Sequence, residues 1–208
     1  MEKAIDLDVK RIQALTDATF AVAITITILG INVIPGLKHD DLVDFIFYEI
    51  IPALFIYFIS FIILGAFWID SHFHHHLIIK TDRISSWLNV FFLLFICIIP
   101  FSSSFLIKYR HHELSNFFYC VNLLIVSLLH LIMLMYTWRN KYIRPHISVL
   151  VYKNMKIRIL IPILTYCLLI PLAFYISEWI RFLFLAPLFF QIFFGRSKRE
   201  FIPPEKKI

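Results

Sequence analysis

Charge is nearly missing from the long apolar stretches of this chain. They hold one acid, Asp17, and a second near one end of a run, Glu49. A proton-coupled transporter usually strings more ionisable groups along its path, so a small proton-coupled or metal-ion transporter is only the alternative reading. Motifs of enzymatic chemistry are missing too. There is no glycine-rich phosphate loop, no Gly-x-Ser-x-Gly elbow, no His-Glu-x-x-His, and no acid pair spaced for hydrolysis, so nothing points to an enzyme or a cofactor. Cysteine is scarce: Cys97, Cys120 and Cys167 all fall inside apolar runs, which makes them free structural residues. No cleavable leader is expected, because Ala21-Val22-Ala23 sits in mid-run and no polar mature sequence follows it. No duplication, linker or second domain interrupts the chain.

What is present is hydrocarbon. The 208 residues are 60% hydrophobic, and the mean hydropathy is +0.80. That suits an all-α, multi-pass membrane protein, since crossing a core of about 30 Å takes roughly 20 apolar residues per helix. Six runs approach that length: 12–34, 45–69, 84–107, 117–138, 159–177 and 180–195. The expectation is one six-helix domain over 1–208. The net charge of +6 raises the question of nucleic acid, but its distribution argues against it. Numbering the segments alternately puts 16 of the 20 basic residues on one side, leaving Lys38, Lys108, Arg110 and Arg181 on the other. The positive-inside rule then places both termini in the cytoplasm.

Between the runs, residues 36–44 read as an acidic outer loop and "IDSHFHHHLIIKTDR" as an inner connection rich in histidine. Pro100 before Ser102, Ser103 and Ser104 suggests a broken or kinked outer end of the third span. "RNKYIRPHISVLVYKNMKIR" reads as the longest inner loop, Ser177 and Glu178 as a hairpin turn, and the last residues as a charged tail.

The first run separates into two faces. At 100° per residue, Arg11, Leu15, Ala18, Val22, Ile26, Leu29 and Val33 fall within about 40° of one line, with Thr19 and Thr25 about 60° to either side. Asp17 lies about 140° away, sharing the opposite face with Thr16 and Thr27. A carboxylate within a membrane span is costly and faces protein, so Asp17 should point into its own bundle. The apolar stripe then faces lipid, a neighbouring helix, or a pore built from several copies.

Donors for Asp17 are expected at the same depth: Trp68 and His72 on the second span, Trp87 and Asn89 on the third. Trp87 also suits the interfacial aromatic belt. The cluster His72, His74, His75, His76 invites a metal, but a histidine-box site needs several boxes on one face, and the other pair, His111-His112, falls across the membrane. A solvated interfacial cluster is the expectation.

These residues resemble a known family. "RIQALTDATFAVAITITIL" is similar to the first-helix signature of the endosomal and lysosomal potassium channel family (transmembrane protein 175 type) and its prokaryotic homologues: a basic residue, three variable ones, then Phe-Ser-Asp. Arg11 and Asp17 match, while Leu15 and Thr16 replace the Phe and Ser. Ser60, Phe61, Gly65, Trp68 and His72 resemble the second block; Leu88, Asn89, Pro100 and Phe101 resemble the third. The likeness covers about residues 8–107 and depends on three blocks in order.

The resemblance implies a cation channel with one repeat per chain, assembled as a homotetramer around the first helix in the cell membrane, here the bacterial inner membrane. It implies a constriction at Val22, Ile26 and Leu29, with Thr25, one turn above the first ring, tied to ion preference. Arg11, Thr16, Asp17, Trp68, His72 and Asn89 would hold the helix in position. No Thr-Val-Gly-Tyr-Gly filter is present. Monovalent cations would cross a neck without charge, and potassium, which sheds water more cheaply than sodium, would be modestly preferred.

Overall fold

The computed structural model describes residues 8–32, 39–145, 147–175 and 180–189. Among them the elements are helical, apart from one isolated bridge between Ile78 and Ile143. Helix α1 is Val9–Ile26, tightening into a 3₁₀ turn at Thr27–Gly30. Helix α2, His39–Phe45, runs through a π turn at Ile46–Ile50 into α3, Ile51–Leu77. Helices α4 (Arg83–Lys108), α5 (Glu113–Arg139) and α6 (Val149–Leu172) follow, then the short α7, Ile180–Leu183. Five stretches are long and apolar enough to cross a membrane, and a shorter apolar helix spans Ile180–Phe189. Val33, the hairpin turn at 177–178 and residues 190–195 of the sixth expected span lie outside the described residues.

Polar residues extend the helices past the apolar runs. Residues 39–44, expected as loop, are helical, and α3 continues through the histidines to Leu77. The expected inner loop 139–158 is half helix, because Ser148 caps α6 through the Val151 amide at 3.4 Å. The fifth expected span is therefore Val149–Leu172 rather than 159–177. Pro100 does not break α4, which runs unbroken to Lys108. Ser104 Oγ donates to the Pro100 carbonyl at 2.9 Å and Ser102 Oγ to that of Ile99 at 3.0 Å, which keeps this turn's hydroxyls inside the helix.

Helix α1 packs against α3 and α4; α5 lies against α4, and α6 against α5. Apolar burial drives little between helices in lipid, so close packing and small or polar interfacial residues matter more. The buried set shows this: Ala23, Ala53, Ser60, Ser71, Ser102, Ser103 and Ser127 sit among Ile56, Ile59, Phe92, Ile96 and Leu123. Ser60 Oγ bonds Ser103 Oγ and the hydroxyl of fully buried Tyr119, each at 2.9 Å, joining α3, α4 and α5. At Gly30 the approach to α4 is closest; a Cβ there would meet Ser104 Oγ at 2.3 Å and its Cα at 3.1 Å.

At the end of the bundle where α1 begins, two connections are laced together. The Ile79 amide donates to the Tyr142 carbonyl at 2.9 Å, and the Arg144 amide to that of Leu77 at 3.0 Å. Asp82 caps α4 through the Ser85 amide at 2.8 Å and accepts from the hydroxyls of Tyr136 and Tyr142. Burial and the Asp82 carboxylate both hold the Tyr142 hydroxyl above its ordinary range.

Candidate functional site: the bare face of the first helix

Asp8 starts α1, its carboxylate accepting from the Lys10 amide at 3.0 Å. From there the helix turns two unlike faces outward and inward. Thr16, Phe20, Ala23 and Thr27 are between 0 and 2% exposed, packed into the subunit. On the other face Leu15 is 52% exposed, Val22 57%, Ile26 41% and Leu29 75%. Ala18 and Thr25 are exposed with them. This is the stripe the helical wheel separates. The 3₁₀ turn keeps Leu29 in line, since side chains three apart eclipse in that geometry, placing Leu29 over Ile26.

Each threonine of α1 bonds its own backbone. Thr16 Oγ1 donates to the Ile12 carbonyl and Thr27 Oγ1 to that of Ala23, at 2.9 and 2.7 Å. Thr25 Oγ1 lies 2.9 Å from the carbonyls of both Ala21 and Val22. Its proton is therefore used within the helix, and its oxygen lone pairs are turned outward on the exposed face.

Two cross-helix hydrogen bonds fix the rotation. Trp68 Nε1 donates to Asp17 Oδ1 at 2.9 Å. Asn89 Nδ2 donates to Thr16 Oγ1 at 3.1 Å, both residues being buried. His72 lies against Trp68, the rings tilted by 38° with centroids 5.6 Å apart. Asp17, Trp68 and His72 thus form one group and Thr16 with Asn89 a second. Arg11 is exposed and joins neither. Trp87 is 54% exposed, leaning on Phe91 rather than on Asp17.

The histidine cluster differs from expectation. His74 and His75 are buried, not solvated; only His72 and His76 are exposed. The cause is helical: α3 continues, so 72 and 76 share the outward side while 74 and 75 turn inward. His74 Nε2 bonds Thr137 Oγ1 at 3.0 Å, and its ring lies 5.8 Å from that of His130. Among the described residues no three His, Cys, Asp or Glu side chains gather in a way that would hold a metal ion.

Two ion pairs escaped sequence reasoning. Arg158 of α6 bonds Asp70 of α3 at 2.8 Å. Arg110 grips Glu49 with both terminal nitrogens, at 2.7 and 2.8 Å, and donates to the Tyr48 carbonyl at 2.8 Å. Pro52 explains the last bond, for it has no amide proton to offer the carbonyl four residues back. The available signal was opposite charge at matched depth on different spans.

The fold and this face define a class: a multi-pass helical membrane protein whose first helix is locked by polar bonds on one side and left bare and apolar on the other. Residues 11–100 match the family model of the endosomal/lysosomal potassium channel TMEM175. A potassium channel of Streptomyces collinus is 28% identical over 108 residues, 50% of each chain. One from Chamaesiphon minutus is 29% identical over 104 residues, 49% of this chain and 51% of that one. The match spans about half the length of these curated relatives. A crystal structure from Chamaesiphon minutus, described as a lysosomal potassium-selective channel TMEM175 homolog, superposes with a TM-score of 0.70 at 20% identity. It covers 88% of this chain and 96% of that one, a likeness of fold.

Proposed function

We propose that this chain is the subunit of a potassium-permeable cation channel, a homotetramer whose four first helices surround the pore. Each subunit crosses the membrane six times with both termini cytoplasmic, in the bacterial inner membrane. The observation that carries the reading is the division of α1: its inward face is sealed into the subunit while Val22, Ile26 and Leu29 stand bare. The matched relatives bear the name potassium channel, which favours a shared axis over lipid as the place for this face.

Rings of Val22, Ile26 and Leu29 offer a cation no charge and no carbonyl cage. Passage then depends on the cost of thinning the ion's water, which is smaller for potassium than for sodium, and the preference is modest. Thr25 supplies the one set of ligands, its lone pairs turned to the exposed side. Approach of the rings closes the pore by dewetting. Asp17, Trp68, His72, Thr16 and Asn89 hold the rotation of α1, while Arg11 stands at its cytoplasmic mouth.

Cadmium bridging tests the assignment. In a background freed of Cys97, Cys120 and Cys167, Val22→Cys and Ile26→Cys channels are blocked by cadmium from the aqueous side, and Ala23→Cys channels are not. Block at Ala23→Cys with none at the other two contradicts the reading.

A further inference from the structure

Helix α6 carries cations where a membrane span should be apolar. Its 24 residues, Val149–Leu172, rise about 36 Å against a hydrocarbon core of about 30 Å. One side is buried in the bundle through Met155, Ile159, Pro162, Tyr166 and Leu169. On the other, Val149, Leu150, Ile157, Leu164 and Leu168 are between 54 and 66% exposed and fall within about 60° of one line. Helix α1 packs on α3 and α4, and α6 on α5, so this outer side is remote from the first helix and meets lipid. Lys153 and Lys156 lie within the same stripe, Lys153 exposed and Lys156 half-buried. Exposed apolar residues stand about one turn before and after them.

A lysine ammonium set among acyl chains must reach water or an anion. Side chains of a helix tilt toward its N-terminus, so both stems run back along α6 toward Val149 and the membrane surface. The surroundings there are of one sign, for residues 139–158 contain no acid. Arg144 and Arg158 make contacts within the chain. Arg139, Lys141, Lys153 and Lys156 have no ion pair among the described residues. Trp138 and Tyr152 stack with centroids 4.2 Å apart and planes 15° from parallel. That stack sets the end of α5, with Arg139 and Lys141 just beyond it, beside Lys153. Tryptophan and tyrosine at a helix end lie level with lipid headgroups, the depth the two ammonium groups seek.

We propose that the outer face of the first turns of α6, together with the Trp138–Tyr152 stack, binds an anionic phospholipid of the leaflet at this end of the bundle. Lys153 and Lys156 donate to its phosphate oxygens. Arg139 and Lys141 add positive potential, so a headgroup of net negative charge is preferred to a zwitterionic one. The site requires only that the chain spans a bilayer, and it is independent of conduction.

The full chain is reconstituted in vesicles of equal parts phosphatidylglycerol and phosphatidylcholine, then extracted in a neutral detergent. Its retained lipid is weighed by native mass spectrometry. Wild type is expected to retain phosphatidylglycerol in excess. Lys153→Gln and Lys156→Gln should each lower that excess about fivefold, the effect of one charge near the surface. Lys153→Arg should keep the excess, and Lys108→Gln, at the other end of the bundle, should leave it unchanged. Equal retention of the two lipids by wild type, or the same excess in wild type and both glutamine variants, overturns the site. In a second arm the chain in detergent is titrated with inorganic phosphate against chloride at matched ionic strength, with Tm as the readout. No Lys153-dependent rise is expected. A saturable rise that Lys153→Gln abolishes assigns the patch to a soluble anion and overturns the lipid.

Discussion

Asp17 and Thr16 sit side by side in sequence and divide the work of holding one helix. Asp17 takes the Trp68 indole from α3, while Thr16 takes the Asn89 amide from α4. Neighbouring residues point 100° apart on a helix, so together they fix α1 against two partners and leave it no free turn. Thr16→Val leaves the buried Asn89 amide without its partner, a penalty of about 1–3 kcal/mol. Thermal melting in detergent should show a lower Tm for this variant, and Thr16→Ser should restore it. Asp17→Ala is expected to reduce the yield of folded tetramer, read by size-exclusion chromatography, more than it changes ion preference. A well-folded Asp17→Ala tetramer with altered preference alone would show that the carboxylate acts on the ion.

Helix α1 and the α2–α3 element meet their neighbours by different devices. At Gly30 the device is the lack of a side chain, which lets the 3₁₀ turn lie against the Ser104 backbone. Gly30→Val forces that turn away from α4 and carries Leu29 with it. The expected result is a raised leak current with a lowered Tm; a Gly30→Val channel with native conductance would separate the turn from the neck. At the start of α3 the device is Arg110, which serves both the Glu49 carboxylate and the carbonyl that Pro52 leaves open. Arg110→Gln should speed amide hydrogen exchange across 46–51, with little change in α5.

At the scale of the whole molecule, five of the six expected spans and the two faces of α1 were legible, for one physical reason: lipid tolerates neither bare backbone nor unpaired charge, so both are written into residue order. Helix ends were not legible, because hydropathy fades where a helix reaches water while its hydrogen bonds continue, as in the histidine turns of α3 and the first turns of α6. Nor was the partner of Asp70, 88 residues away at Arg158, since such a pair depends on how helices are laid together. His74 and His75 were misjudged through that same extension, polar residues being counted as loop when helix carried them into the core.

The central claim is that the bare side of α1 lines the ion path, and conduction reports on it most directly. Purified protein in planar bilayers, with potassium on one side and sodium on the other, gives single-channel conductance and reversal potential together. The account predicts discrete openings with a modest potassium preference in wild type, and larger currents in Ile26→Asn and Leu29→Ala as the neck wets or widens. Conductance and reversal potential unchanged in both variants would contradict it.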